Sequence, residues 1–118
     1  MRRILLMLIA ALGILSGCTN MAPEMPAEAD CTPKFPDMDV TYDNYVKGVL
    51  TANCIGCHNG GSAPGNFTTY AGVQPYLETS FYFRVVQDGA DMPKGNAPLP
   101  KSTRDSLNVW LENCAPQN

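Results

Sequence analysis

A five-residue segment near the middle of the chain constrains its fold more than any other feature. It reads Cys-Ile-Gly-Cys-His and occupies residues 54–58 of 118. Two cysteines separated by two residues and followed at once by histidine are the attachment pattern of a c-type haem. The thiols of Cys54 and Cys57 each add across one vinyl group, and His58 supplies an axial nitrogen to the iron. The segment therefore predicts one covalent haem c, around which a small domain has to fold.

Two other uses of such a segment have to be weighed against haem attachment. A thiol–disulfide redox pair belongs in a βαβ pattern, and strand signals are weak along this chain. A structural zinc site usually takes four ligands, but His58 is the only histidine. The zinc and redox alternatives therefore explain fewer of the residues than haem attachment does.

The first 17 residues have the composition of an export signal. Arg2 and Arg3 precede an apolar run of about 12 residues, which suits a signal peptide and is too short to span a membrane as a helix. Leu-Ser-Gly-Cys at positions 15–18 resembles the lipobox of bacterial lipoproteins, which implies cleavage before Cys18 and a lipid anchor on that residue. The alternative is an uncleaved anchor in which Cys18 is a spare thiol.

The lipobox implies a location as well as a lipid. Haem c is attached after export, and the arginine pair lacks the rest of a twin-arginine signal, so a general secretory route fits better. The residue after Cys18 is Thr19 rather than aspartate, which by the usual sorting rule for lipoproteins favours the outer membrane. We therefore expect a lipid-anchored protein of the bacterial cell envelope that faces the periplasm or the cell exterior.

Residues 18–39 are predicted to form an extended tether between the lipid and the domain. They contain four prolines, several acidic residues and no apolar periodicity, so they cannot bury enough surface to fold alone. From residue 40 to residue 118 the chain carries six acidic and five basic residues. Such a nearly neutral domain lacks the basic footprint of a nucleic-acid-binding protein.

Apolar periodicity predicts an all-α domain over residues 40–118. The first helix runs from Thr41 to about Asn53, with Thr41 as its N-cap. Continuing its apolar stripe by one turn reaches Cys54, so this helix delivers the first thioether cysteine on its buried face. The loop over residues 59–66 follows, in which a carbonyl near Pro64 is a candidate to accept the ring N–H of His58. The alternative for this loop is a plain flexible turn.

Two shorter helices and one long helix complete the prediction. A short segment over residues 69–73 ends at Pro75, and a helix over residues 79–87 stops near Gly89. The last helix begins at Ser102, and its apolar stripe, which contains Trp110, is expected to pack on the first helix. Three main helices and short helical segments would thus surround the haem.

The second axial ligand of the iron follows from elimination. A second histidine is excluded because His58 stands alone. Met92 is the only methionine after the haem segment, and the other methionines of the exported chain lie in the tether. Pro93 disfavours helical backbone at Met92, which supports an extended loop across the open haem face. Met92 is therefore predicted to be the distal ligand, and the alternative is an incidental side chain beside a five-coordinate iron.

These features together resemble the class I cytochrome c family over about Thr41–Cys114, and in particular its small bacterial mono-haem members. The resemblance implies the cytochrome c fold, in which the first and last helices cross, and single-electron transfer with redox protein partners. It also implies that Cys54 and Cys57 attach the haem and that His58 and Met92 are its proximal and distal iron ligands. Only 34 positions separate these two ligands.

Two cysteines, Cys31 and Cys114, have no part in the haem segment. Disulfides persist outside the cytoplasm, so we expect a Cys31–Cys114 bond that staples the end of the tether to the last helix. The alternative is a pair of free or intermolecular thiols.

The expected function is that of a membrane-tethered electron carrier rather than an enzyme. Ligation by both His58 and Met92 leaves no open position on the iron, and no acid–base constellation accompanies the haem segment. One alternative is a binding or sensing module in which a small ligand such as CO or NO displaces Met92. Another is an enzyme, either peroxidase-like or a CxxC thiol oxidoreductase.

Overall fold

The computed structural model describes residues 31–118, and this part of the chain contains three helices and no β-strand. Helix α1 begins as the π-helical segment Tyr42–Val46 and continues as the α-helix Lys47–Asn53. Helix α2 begins as the α-helix Tyr70–Tyr76 and continues as the π-helical segment Leu77–Val86. Helix α3 is Lys101–Glu112. The described residues therefore have the predicted all-α class.

Helix α1 starts where its sequence predicts. The Thr41 hydroxyl accepts a hydrogen bond from the Asn44 backbone N–H at 3.2 Å, and the Asn44 side chain accepts one from the Thr41 N–H at 2.9 Å. This reciprocal pair satisfies two backbone groups that a helix start otherwise leaves open. Three residues of the predicted stripe, Tyr42, Val46 and Leu50, are buried. The N-cap prediction for Thr41 is therefore confirmed.

Helix α2 differs from the prediction of two short helices divided by Pro75. The helix continues through Pro75, and from Leu77 onward it widens into π-helical turns. A proline inside a helix lacks the N–H for one ladder hydrogen bond and crowds the preceding turn, and local π-helical geometry is one way to relieve this. The sequence signal of Pro75 predicts a helix end, but Val73, Phe81 and Val85 are all buried in the same core cluster, and this packing holds the two halves together.

Helix α3 begins at Lys101, one residue before the predicted start at Ser102, and has no side-chain cap. Leu107 and Trp110 are completely buried. The Trp110 ring meets the edge of Phe81 in α2, with centroids 6.2 Å apart. The main helix-to-helix contact of α3 is therefore with the Leu77–Val86 part of α2, rather than with α1 as its apolar stripe predicted.

The C-terminal end of α3 is closed by a Schellman motif. The Cys114 N–H donates to Leu111 O at 3.1 Å and the Ala115 N–H to Trp110 O at 2.8 Å. Cys114 (φ 68°) and Ala115 (φ 47°) both take left-handed backbone conformations, and the first of these positions is the one that glycine usually fills. After this turn the chain lies against the start of α1. Pro116 O accepts hydrogen bonds from the Trp110 Nε1–H of α3 and from the Tyr42 N–H of α1, both at 2.9 Å.

Residues 31–39, predicted to belong to the extended tether, lie instead against this end of α3. The buried Asn113 side chain forms three hydrogen bonds with the backbone of this segment. Its Oδ1 accepts the Phe35 N–H at 2.7 Å, and its Nδ2 donates to Phe35 O at 2.8 Å and to Met38 O at 3.2 Å. The prolines and acidic residues of this segment predict an extended tether. Composition alone cannot show that the end of α3 offers a surface on which the segment docks. The rest of the tether, residues 18–30, lies outside the described residues.

A disulfide between Cys31 and Cys114 accompanies this docking, with the two Cα atoms 5.8 Å apart. The Lys34 ammonium also lies 2.9 Å from the Glu112 carboxylate. Among residues 31–118, no helix has the length and apolarity needed to cross a membrane. The predicted export signal and Cys18 fall outside the described residues.

Candidate functional site

The cysteine–histidine segment is a direct continuation of α1. The Cys54 N–H still donates to Leu50 O at 2.8 Å, and Cys54 O accepts the N–H groups of Cys57 and His58 at 3.1 and 2.9 Å. These bonds form one more helical turn, so residues at positions i, i+3 and i+4 share a side of it. The two thiols and the imidazole therefore project from one turn, and Cys54 packs against the core as its place on the apolar stripe predicts.

The ring of His58 is held by two contacts from the loop that follows. Its Nδ1 lies 2.6 Å from Pro64 O. Because a carbonyl oxygen can only accept, Nδ1 carries the proton, and Nε2 is the nitrogen with a free lone pair in the neutral ring. The ring also stacks on Phe67, with centroids 4.5 Å apart and planes inclined by 8°. The expectation of a backbone acceptor near Pro64 is thus confirmed, whereas Phe67 was not singled out from sequence.

Two glycines shape this loop. Gly65 has φ +89°, and a Cβ there would lie 2.7 Å from the Phe67 ring. A Cβ on Gly72 in α2 would overlap the carbonyl oxygen of Asn66. The Phe67 N–H closes the loop by donating to His58 O at 2.8 Å. The loop is therefore pressed between α2 and the His58 turn, rather than being the plain flexible turn that was its alternative.

Met92 lies in the loop that joins α2 to α3, residues 87–100, which we call the Met92 loop. Its N–H donates to Arg84 O at 2.9 Å. The Arg84 guanidinium forms a two-bond fork with the neighbouring Asp91 carboxylate, at 3.0 and 2.7 Å. The hydrogen bonds and positive charge of Arg84 lower the pKa of Asp91, so this carboxylate stays ionised. Met92 is thus fastened to the side of α2.

One cavity of about 530 Å³ is bordered by all four residues singled out from sequence: Cys54, Cys57, His58 and Met92. Its volume falls in the range of roughly 300–1,000 Å³ typical of small-molecule and cofactor sites. The rest of its lining combines apolar and aromatic residues with polar and basic ones. The apolar and aromatic residues are Ala63, Pro64, Phe67, Tyr76, Phe81, Val85 and Pro93. The polar and basic residues are Asn53, Ser62, Ser80, Arg84, Lys94 and Asn96.

The two thiols of the segment are not bonded to each other and differ in environment. Cys54 is partly buried, whereas Cys57 is exposed. Burial raises the pKa of the Cys54 thiol to about 11, so this thiol is protonated at neutral pH. Reactive thiols of redox enzymes have the opposite property, a lowered pKa.

The residues around the cavity fit a covalently attached haem. Two thiols separated by two residues, an imidazole whose Nδ1 is already hydrogen-bonded and a thioether are the groups that such a haem takes. Within residues 31–118, no group of three or more His, Cys, Asp or Glu side chains is placed to hold a metal ion by itself. The zinc alternative therefore lacks ligands in this part of the chain.

Two residues with structural roles were not found from sequence, Arg104 and Asn113, which lie at opposite ends of α3. Arg104 donates to Val86 O, Leu99 O and Asp88 at the base of the Met92 loop. Asn113 docks residues 31–39. Arg104 reaches the Val86 carbonyl 18 positions away, and Asn113 reaches backbone atoms 75 and 78 positions away. No local sequence pattern marks such partners.

Comparison of the chain with protein-family models, with characterised proteins and with solved structures gave no match.

Proposed function

We propose that this protein is a mono-haem c-type cytochrome that carries single electrons at a bacterial membrane. The observation that supports the proposal is the common cavity of Cys54, Cys57, His58 and Met92. Met92 is 34 positions away from His58 in the sequence, and it is the only methionine that follows the haem segment. The number of methionines and histidines does not depend on where the fold places them, so the position of Met92 at the cavity is independent support for its role.

The chain's own residues divide the work of such a site. Cys54 and Cys57 would hold the haem as thioethers, and the bound iron would supply the one-electron redox couple. The Pro64 carbonyl orients the His58 ring through Nδ1, which makes Nε2 a better donor. A thioether from Met92 is a soft ligand that raises the reduction potential.

The cavity wall would exclude water from the iron. Phe67, Phe81 and Val85 are buried and border the cavity. An apolar surrounding of this kind lowers the local dielectric constant, which also affects the potential of a bound metal. The basic side chains of Arg84 and Lys94 lie on the same lining, where positive charge suits an anionic cofactor.

Ligation on both faces favours an electron carrier over an enzyme or a sensor. A thiol oxidoreductase is disfavoured because the pKa of Cys54 is raised rather than lowered. A sensing module would need Met92 to leave the iron readily, and the hydrogen bond from the Met92 N–H to Arg84 O opposes this.

The principal test is the substitution Met92→Ala in the haem-loaded protein. Pyridine haemochrome spectra of the wild type should show covalent haem, and its oxidised form should show the weak long-wavelength absorption band typical of an iron–methionine bond. Met92→Ala should lose this band and bind CO when reduced. The matched control is Met38→Ala, since Met38 is 49% exposed and does not border the cavity.

Absence of covalent haem in the wild type would overturn the proposed function. An unchanged spectrum and potential in Met92→Ala would overturn the ligand assignment, and CO binding by the reduced wild type as fast as by Met92→Ala would favour the sensing module.

The membrane location is proposed from the lipobox and is tested separately. Substitution Cys18→Ala should abolish labelling of the protein with a radioactive fatty acid and release it from the membrane fraction. The haem spectrum should stay the same, because Cys18 precedes the domain by more than twenty residues. Retention of Cys18→Ala in the membrane without label would indicate the uncleaved anchor instead.

A further inference from the structure

Arg104, in the first turns of α3, is the most enclosed cationic side chain among the ion pairs of the described residues, since only 15% of it is exposed. Its Nη1 donates to Val86 O at 3.0 Å and to Asp88 Oδ1 at 2.9 Å, and its Nε donates to Leu99 O at 3.1 Å. A guanidinium presents its donors in a rigid planar fork, so the groups that it binds are fixed relative to one another.

The three acceptors lie at the two ends of the Met92 loop. Val86 is the last residue of α2, and Leu99 comes shortly before α3 begins. These two residues are 13 positions apart in the chain, yet one guanidinium binds both carbonyl groups. Arg104 therefore closes the base of the loop, and Met92 lies between the points that it joins.

The Arg84–Asp91 fork is a second contact of the same loop, but it is a weaker restraint. Its side chains are 49% and 61% exposed, and ion pairs with this much solvent contribute little. The hydrogen bonds from Arg104 to the two carbonyl groups are stronger restraints than this exposed ion pair. They lie in a partly buried site, where a charged donor forms a stronger hydrogen bond than a neutral one. The restraint at the base of the loop should dominate.

We infer that Arg104 is a positioning residue for the distal ligand: by joining Val86, Asp88 and Leu99 it holds the Met92 loop in the shape that keeps the Met92 sulfur at the cavity. The inference rests on the proposed function, in which that sulfur binds the haem iron. Arg104 does not border the cavity and acts only through the loop.

The experiment compares Arg104→Leu, Arg104→Lys and Asn113→Ala in the haem-loaded protein. Leucine keeps much of the side-chain volume and removes all three hydrogen bonds. Lysine keeps the positive charge and restores part of the donor set. Asn113→Ala is the matched control, because it removes three hydrogen bonds from the opposite end of α3 without touching the Met92 loop.

Two measurements are made on each folded variant: the intensity of the long-wavelength iron–methionine band in the oxidised protein and the rate of CO binding to the reduced protein. We expect Arg104→Leu to bind CO at least about tenfold faster than the wild type, since tenfold corresponds to the loss of one charged hydrogen bond and the variant removes three. Its band should be weaker, Arg104→Lys should be intermediate, and Asn113→Ala should match the wild type in both measurements.

Each result decides between positioning and general stability. Equal band intensity and CO rate in Arg104→Leu and the wild type would overturn the inference and leave the proposed function intact. So would a similar loss in Asn113→Ala, because the effect would then follow stability alone. If Arg104→Leu does not fold, Arg104→Lys takes its place, and a wild-type-like result in that variant overturns the inference. Absence of the band from the wild type would overturn the ligand assignment on which this inference rests, whereas absence of covalent haem would overturn the proposed function itself.

Discussion

The disulfide at the end of α3 allows a quantitative prediction about stability, because two separate energetic terms meet at Cys114. The bond joins residues 83 positions apart. Closing a loop of that length in the unfolded chain is worth about 4.5 kcal/mol in the chain-entropy model. Because disulfides typically stabilise by less than the model's full value, we expect Cys31→Ser/Cys114→Ser to lose about 2–4 kcal/mol of unfolding free energy.

The second term is the backbone conformation of Cys114, which has φ 68°. A non-glycine residue in the left-handed region costs roughly 1–2 kcal/mol. Glycine avoids this cost but loses more conformational entropy on folding, by roughly 0.5–1 kcal/mol. The variant Cys31→Ser/Cys114→Gly should therefore be more stable than Cys31→Ser/Cys114→Ser by about 0.5–1 kcal/mol, although neither contains the disulfide.

Guanidinium unfolding followed by circular dichroism measures both differences in the haem-loaded protein. The dependence of unfolding free energy on denaturant concentration should have the same slope in the two double variants, since both unfold to a chain without the disulfide. A loss below about 1 kcal/mol in the double serine variant would show that the bond does not restrain the unfolded state as the chain-entropy model requires. Equal midpoints for the serine and glycine variants would refute the account of backbone conformation at position 114.

Two further predictions concern packing and hydrogen bonding, and the same unfolding measurement checks both. Gly72→Ala should lose about 1–3 kcal/mol, because its Cβ would overlap Asn66 O. Gly48→Ala should gain about 0.5–1 kcal/mol, because nothing lies within 4 Å of a Cβ there; the same sign for both would contradict the packing account. Asn113→Ala should lose about 2–3 kcal/mol by removing three hydrogen bonds to a buried amide. Lys34→Met should lose less than about 1 kcal/mol, because the Lys34 side chain is 62% exposed, and a reversed order would refute the docking account.

Local patterns were sufficient for the parts of the fold that local interactions decide. Thr41 could be assigned as an N-cap because a cap depends on residues three positions away. The approach of Cys54 to the core followed from the period of α1. Pro75 was misinterpreted for the converse reason: proline disfavours helix locally, but the packing of Phe81 and Val85 against the core decides whether the helix continues.

The division between sequence and structure is clearest at the candidate site. The residues 54–58 and the inventory of one histidine and one methionine beyond the tether are properties of the sequence alone, because covalent attachment and axial ligation depend on residue type and spacing. They singled out Cys54, Cys57, His58 and Met92, which are four of the residues that line the cavity. They could not supply the shape of the two loops that carry Pro64 and Met92.

Those loop shapes depend on contacts between distant residues. The loop of Pro64 is pressed against Gly72, and the Met92 loop is closed at its base by Arg104. The docking of residues 31–39 likewise depends on Asn113 and on the end of α3. Hydrogen bonds from a side chain to a remote backbone have no period and no fixed spacing in the chain, so only the tertiary structure could show which loop each side chain holds.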